Sequence, residues 1–559
     1  MAVCFDGRLD NRAELLSLLG AAAPTLAEGP DSVLVQALVL ALGDRFLQHL
    51  VGDFALAVWH CRRRSLLCAR SATGWRPLLW ARDGAGLAFA TEVAILAAGL
   101  SDHALKPNEG YLAEILSARI ATATETCWEG VNRLPAGGAL RYCDGRLDQW
   151  TWYEEAYEDL SGRSDAEHVE QFVALFDQAI ITSLPKDKGA SIHVSGGLDS
   201  SSVFCRAVEL RELGRVFVPL TAISARYPGE PQDETRWSDL VQHHTGEPVL
   251  VVRDRPYDID AALAWCASTR HLPVRPNALG PTLGACRAMR ERGDRLLLTG
   301  EGGDDWMAGS HAHWPDLVRA GRLRTLFREG VLHGASRSPI VNARAMIRDG
   351  LGPLLRPARR DALTRRFIGT STTAPPWIDP AWASGLALSD RWATPPIDRG
   401  DSFGRQWRLS AMAPPHRDVT FDPLIALAER NGVTFRHPFH DLRLIRFFMG
   451  ASGGIMERKG VRKFLLREAM RNTLPEPIRQ RTDKAHFAAP MIDAIARYFE
   501  RCPPSRMHVV QRGWVKGQIL DDLFAQHLVW RRDGLSGPAP NTALGGIWNC
   551  IAVDMLLTA

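Results

Sequence analysis

Between residues 189 and 300 short apolar runs alternate with amphipathic segments, and this rhythm constrains the fold more than any other property of the 559-residue chain. The runs GASIHV (189–194), RVFVPLTAIS (215–224), PVLVVRD (248–254) and DRLLLTG (294–300) have the length and β-branched character of buried strands. Between them, Ser201–Leu213, DETRWSDLVQHHTG (233–246, ended by Gly246), 257–268 and 281–292 carry helical spacing. Strands alternating with helices imply crossover connections and therefore a parallel sheet, whose ligands bind at the carboxyl ends of the strands. The first strand runs directly into VSGGLDSSSV (194–203), in which six of ten residues are Ser or Gly.

A strand that enters Ser195-Gly196-Gly197 and leaves as a helix presents backbone N–H groups and the hydroxyls of Ser200 and Ser201 at a helix N-terminus, a cradle for an anion. No GxxxxGK[ST] motif occurs, so the loop is not a Walker A loop. Asp199 within the cradle suits a divalent cation arriving with phosphates, Mg2+ being held by one or two carboxylates and substrate oxygens. The alternative is a Gly/Ser turn whose Asp199 caps the helix. A second glycine-rich loop, TGEGGDDWMAGS (299–310), follows the last strand and carries Gly300, Glu301, Gly302, Gly303, Asp304 and Asp305. Two acid-bearing loops at one sheet edge can hold one Mg-triphosphate between them.

The rest of the chain is of a different kind. FALAVWHC (54–61), SLLCA (65–69), RPLLWA (76–81) and GLAFAT (86–91), separated by Gly/Asp/Arg turns, predict antiparallel β structure in residues 1–150. A polar stretch at 154–168 reads as a linker, and 330–415 is rich in Pro, Arg and Trp, including Trp377, Trp382, Trp392 and Trp407. A net charge of +4 with dispersed Lys/Arg argues against nucleic acid as a partner, and the densest basic stretch (356–367) reads as a solvated helix face. No apolar run is long enough to span a membrane and the N-terminus lacks a secretory signal. Ten scattered Cys without CxxC spacing indicate reduced thiols and a cytoplasmic location, and the His pairs lack a matching metal-ligand set.

SGGLDSS followed about a hundred residues later by GEGGDD resembles the asparagine synthetase family. The resemblance implies a PP-loop (adenine nucleotide α-hydrolase-like) domain over 160–559 that splits ATP to AMP and pyrophosphate, with an insertion at about 335–415. Val194, Ser195, Gly196, Gly197, Asp199, Ser200 and Ser201 match its pyrophosphate loop, joined by Gly300, Gly302 and Gly303, and Asp199 and Asp304 match its Mg2+-binding aspartates. The tract ERKGVRKFLLREAMRNTLPEPIRQRTDKAHF (457–487) resembles a family segment that implies Lys463 and Lys484 as cations against phosphates, and Glu301 joins them as a catalytic candidate. Residues 1–155 resemble a class II glutamine amidotransferase domain (an Ntn-type α+β fold) through CFDGRLDNRAEL (4–15) and the tract at 50–81. That family requires an N-terminal Cys. The chain begins inside the corresponding region, its "RD" pair has become Arg70-Ser71, and Cys4 reads as a buried strand residue. The expectation is therefore a truncated or degenerate amidotransferase domain without glutaminase activity.

An ATP-splitting synthetase with no ammonia source needs a substrate that brings its own amine. GEGGDDWMAGS followed by PDLVRAGRL (315–323), together with FRHPFHDLRLIRFFM (435–449), most resembles the cyclases of lasso peptide biosynthesis. This implies a ribosomally made precursor peptide as substrate, with a leader-peptide-binding protein and a leader peptidase as partners. Three other readings stay open: a glutamine-hydrolysing asparagine synthetase, a PP-loop protein acting on tRNA or a silent binding module, and a β-lactam synthetase. RPNALGP (275–281) lacks the Tyr that the last would use.

Overall fold

Period-two alternation in the N-terminal segment resolves into two antiparallel sheets. The first has the order β1 (Ala2–Leu9), β2 (Gly52–His60), β3 (Ser65–Arg70), β7 (Gly138–Cys143), β8 (Arg146–Thr151), and the second the order β5 (Gly86–Ala90), β4 (Leu79–Asp83), β6 (Asn132–Arg133). Along β2, Phe54, Leu56 and Val58 face the Asp31–Leu42 helix, whereas Ala55 and Ala57 face Leu78 and Trp80 across the second sheet. The larger sheet is thus covered on both sides. Cys4 is on β1 as expected but is exposed, because β1 is the edge strand of its sheet among the described residues. The structure, a computed structural model, describes all residues except 21–25, 85, 102–104, 155–156, 254, 308, 310, 334–337, 355–373, 393–401, 413, 484, 486, 536–539 and 541–543.

The segment read as a linker becomes structure earlier than its polarity suggests. Ser164 and Glu167 form a reciprocal capping box that starts the helix Asp165–Ser183, and Leu160 is buried with its N–H donated to the Gly450 carbonyl (3.0 Å).

Beyond it lies a five-stranded sheet, parallel throughout, in the order β11 (Val249–Arg253), β10 (Leu220–Arg226), β9 (Ala190–His193), β12 (Leu296–Leu298), β13 (Thr434–Arg436). The strand expected at 215–224 begins only at Leu220, after Pro219, which has no N–H for the ladder. β13 is not expected from the sequence, for three residues are too few to show a pattern. Helices cover both faces. Phe172 and Phe176 pack with Phe439 and Phe448 on one side, and Cys286 and Met289 of the Pro276–Arg292 helix pack on Ile223, Val252 and Leu297 on the other.

The Trp/Pro/Arg-rich segment is largely helical where it is described, with helices Pro339–Met346, Pro380–Gly385, Leu388–Arg391 and Phe403–Met412; residues 355–373 and 393–401, and with them the whole of the basic stretch at 356–367, lie outside the described residues. The described tryptophans of the segment are mainly core residues. Trp377 donates to the Leu116 carbonyl (2.9 Å), Trp392 to the Arg119 carbonyl (2.8 Å), and Trp382 to Glu109 (3.0 Å) while stacking on Trp514. They fill the space between the Glu109–Leu116 helix and the C-terminal helices; of the four, Trp407 is the one with substantial exposure.

Buried ion pairs join the N-terminal sheets to the Pro415–Arg430 helix. Arg70 meets Asp418 (3.1 Å) and Arg133 meets Asp422 (2.5 Å), with all four side chains largely excluded from solvent. Arg70 also donates to the Leu134 carbonyl (3.0 Å), so the Arg retained at the altered "RD" position is a structural tie.

Candidate active site

β9 lies between β10 and β12, and the chain leaves β9 toward β10 and returns to β12 only later. The loops after β9 and β12 therefore diverge at a topological switch point, where parallel sheets open a crevice at their carboxyl ends. The ladder Leu297–Ser191 and Leu298–Ile192 sets the two strands side by side, and both glycine-rich loops rise from that edge.

The helix after β9 runs Leu198–Glu212, three residues longer at its start than the periodicity suggests, so Asp199, Ser200 and Ser201 occupy its first turn. Its N-cap is Gly197, with no side-chain cap. The first-turn N–H groups are thus not satisfied by a capping side chain and face the crevice edge, as an anion cradle requires. Asp199 does not cap the helix. Its carboxylate meets the Lys463 ammonium, which also binds Asp304 at 2.7 Å. Lys463 is buried; burial disfavours its charge, but the two carboxylates outweigh this and raise its pKa above the ordinary lysine value. It is delivered by the hairpin β14 (Glu457–Arg458)–β15 (Val461–Arg462), and a left-handed backbone (φ +57°) turns it into the site as the helix Phe464–Ala469 begins.

The glycines are required by contact. A Cβ on Gly300 would stand 2.6 Å from the Ser200 nitrogen, and one on Gly303 would stand 2.4 Å from the Asp199 carboxylate. The two loops therefore pack backbone against backbone. Gly196 combines a positive φ (+74°) with direct packing on Trp237. Within the first loop Ser200 Oγ accepts from the Ser195 N–H (3.2 Å), and Ser195 Oγ accepts from the Gly197 N–H (3.2 Å). Val194 is buried and donates its N–H to Ile223 (2.8 Å).

The structure thus brings Asp199, Asp304 and Lys463 together, on loops shaped by Ser195, Gly196, Gly197, Ser200, Gly300, Gly302 and Gly303. Glu301 is exposed on the second loop and lies outside the contacts of Lys463 with the two aspartates, and Ser201 is buried in the first helical turn. Lys484 lies outside the described residues. Two carboxylates converging on one cation, beside open helix N–H donors, have the donor set that Mg2+ and phosphate oxygens require.

Sequence reasoning did not single out Arg481. It is buried, donates to the Gly196 carbonyl (3.1 Å) and Glu234 (2.7 Å), and covers the Trp237 ring. Burial raises the Glu234 pKa against the opposing pull of Arg481. The residue lies inside the tract matched at 457–487, so the signal was present but gave no contact. Behind the second loop, Thr299 Oγ1 bonds His437 (2.7 Å), His440 meets Asp305 (3.3 Å), and Trp75 from the N-terminal segment stacks on His437. Burial holds both histidines below the ordinary imidazole range.

Comparison with known proteins gives a consistent picture. The asparagine synthase family model matches residues 171–539, and the glutamine amidotransferase domain model matches 1–153. Asparagine synthetase [glutamine-hydrolyzing] 3 of Bacillus subtilis is 24% identical over 296 residues, covering 47% of each chain. Amidase chyE of Penicillium rubens is 25% identical, covering 52% of this chain and 44% of its own. Amidase chry2 of Gibberella zeae is 26% identical, covering 51% and 44%. The aligned regions span about half the length of these curated relatives.

Proposed function

Because the chain belongs to the asparagine synthase family of ATP-dependent amide-bond-forming enzymes, we propose that it activates a substrate carboxylate with ATP, releases pyrophosphate, and joins the acyl group to an amine with release of AMP. The observation that carries this reading is the convergence of Asp199 and Asp304 on one cation where the two glycine loops touch. The first-turn N–H groups after Gly197 would bind the pyrophosphate moiety. Asp199 and Asp304 would hold Mg2+, which supplies charge neutralisation on the phosphate oxygens when bound. Lys463, buried and kept cationic, would face the same oxygens, and Lys484 would add a second cation. A carboxylate oxygen attacks the α-phosphorus and the bond to pyrophosphate breaks. The amine nitrogen then attacks the acyl carbon, loses a proton, and AMP leaves. The domain division is 1–155 and 160–559, with the insertion near 335–415.

For the substrate we favour a peptide that supplies both groups, the side-chain carboxylate of an Asp or Glu and its own N-terminal amine, as in lasso peptide cyclisation. Support for this lies beside the site. The helices Leu323–Phe327 and Pro339–Met346 and the helical turn Arg328–Leu332 between them expose Leu323, Phe327, Leu332, Ile340 and Val341, an apolar surface unusual for solvent. The Lys463 hairpin rests on this region, Gly460 packing against the His333 carbonyl. Ring closure within one bound peptide is an effect of proximity. The Trp side chains of the insertion do not contribute to this argument, since three of the four serve the core. A precursor peptide, a leader-binding protein and a leader peptidase would be its partners. The second reading, amide formation on a small molecule, is favoured by the names of the curated relatives.

The test is incubation with ATP, Mg2+ and the leaderless peptide encoded nearest to this gene. The expected products are AMP, pyrophosphate and a peptide lighter by one water. ADP and phosphate would overturn the ATP chemistry. Conversion of free aspartate to asparagine with the peptide left linear would overturn the peptide substrate alone.

A further inference from the structure

At the opposite rim of the parallel sheet from the glycine loops, the two halves of the chain line a half-open cavity of about 540 Å3. Its lining includes Leu296 and Thr434, the first residues of β12 and β13, and Gly189, which precedes β9; Asp6, Gly7 and Arg8 of β1 and Asp53 of β2 line it from the other half. The volume suits a small-molecule site.

Its charges do not balance internally. Five basic side chains line it (Arg8, Arg76, Lys188, Arg295, Arg436) against three acidic ones (Asp6, Asp53, Glu429). Arg8 pairs with Asp10 at 2.6 Å, outside the lining. Arg76 draws all three lining acids toward itself: Glu429 directly, Asp6 at 3.6 Å and Asp53 at 3.9 Å. Lys188, Arg295 and Arg436 have no carboxylate partner among the described residues. Arg436 donates to the Ser183 carbonyl at the end of the Asp165–Ser183 helix (2.7 Å). Burial first, and then Arg8 and Arg76 against the opposing pull of Asp10 and Asp53, lower its pKa to about 10. A cavity of ligand size with unpaired cations on its wall is stabilised by an anion that reaches them together.

We propose that this cavity is a second ligand site, separate from the nucleotide crevice, for a small organic dianion: a phosphate ester or a dicarboxylate held by Lys188, Arg295 and Arg436. The site stands whether or not the substrate reading above is correct.

The test uses the full chain in Mg2+-free buffer, titrated calorimetrically with inorganic phosphate, AMP and succinate. Saturable binding of at least one probe is expected. Lys188→Gln with Arg295→Gln, both exposed positions outside the glycine loops, should weaken it about tenfold per cation. The same double variant should keep wild-type thermal stabilisation by ATP·Mg2+. Binding of phosphate and AMP without succinate assigns a phosphate ester, and the converse assigns a dicarboxylate. No binding of any probe to the wild-type chain, or equal binding to the double variant, overturns the proposal.

Discussion

Gly303→Ala tests the packing of the two loops most directly. The new methyl would lie 2.4 Å from the Asp199 carboxylate, whereas ordinary contact begins near 3.4 Å, so the carboxylate must retreat by about 1 Å. Gly303 does not have a positive φ, so alanine brings no backbone strain and the effect should stay local. The displaced group is one of two carboxylates facing Lys463. Loss of one charged contact to a bound ion costs about 1.5–3 kcal/mol, or roughly 10- to 100-fold in affinity. With ATP·Mg2+ at one hundred times the wild-type dissociation constant, the ligand stabilises the wild type by about 2.7 kcal/mol. The variant should gain only about 0.4–1.4 kcal/mol at the same concentration, while its ligand-free Tm is close to wild type. Differential scanning fluorimetry with and without ATP·Mg2+ measures both. Wild-type stabilisation of Gly303→Ala by ATP·Mg2+ would refute the assignment of Asp199 to the metal.

Three further outcomes are expected. Asp304→Asn should reduce pyrophosphate release about 100-fold or more with little change in Tm, because the side chain is 56% exposed and its pairing adds little stability; an active variant removes it from the site. Arg481→Met should cost about 1.5–3 kcal/mol by leaving half-buried Glu234 unpaired and should weaken ATP·Mg2+ binding, and adding Glu234→Gln should restore stability but not affinity; recovery of both would make the arginine purely structural. His271 is buried with its pKa lowered from 6.5 to about 3 by burial and then by Arg133, so folding favours the neutral ring. Its contribution is present above pH 6.5 and lost as pH falls from 6.5 toward 3, about 5 kcal/mol in full. His271→Gln should therefore flatten the acid limb of a urea-denaturation series, and an unchanged slope would disprove it.

Much of this protein was legible along the chain because its signals are local. A parallel sheet follows from apolar runs alternating with helical spacing, and the run into Ser195-Gly196-Gly197 already marks a loop whose backbone can approach a neighbour closely. Asp199 and Asp304 declare themselves by lying in such loops. Local signals also misled. The Pro/Arg/Trp-rich segment shows no regular pattern, yet Trp377, Trp382 and Trp392 pack in a core that depends on helices 109–116 and 544–558, which no nearby residue announces. Cys4 has the pattern of a buried strand residue, but its exposure depends on which strand stands at the edge.

What the sequence by itself determined was the fold class, the two glycine loops and the chemistry their acids can perform, because backbone geometry and side-chain type are properties of adjacent residues. Only the tertiary structure decided that β12 lies beside β9, that Lys463 reaches both Asp199, 264 positions away, and Asp304, and that Arg481 braces Gly196. It alone decided that three cations from separate segments line one cavity without a carboxylate partner among the described residues. These are contacts between distant parts of the chain, made only when burial of the apolar faces brings the strands into register, and nothing in a linear pattern records which distant residue arrives.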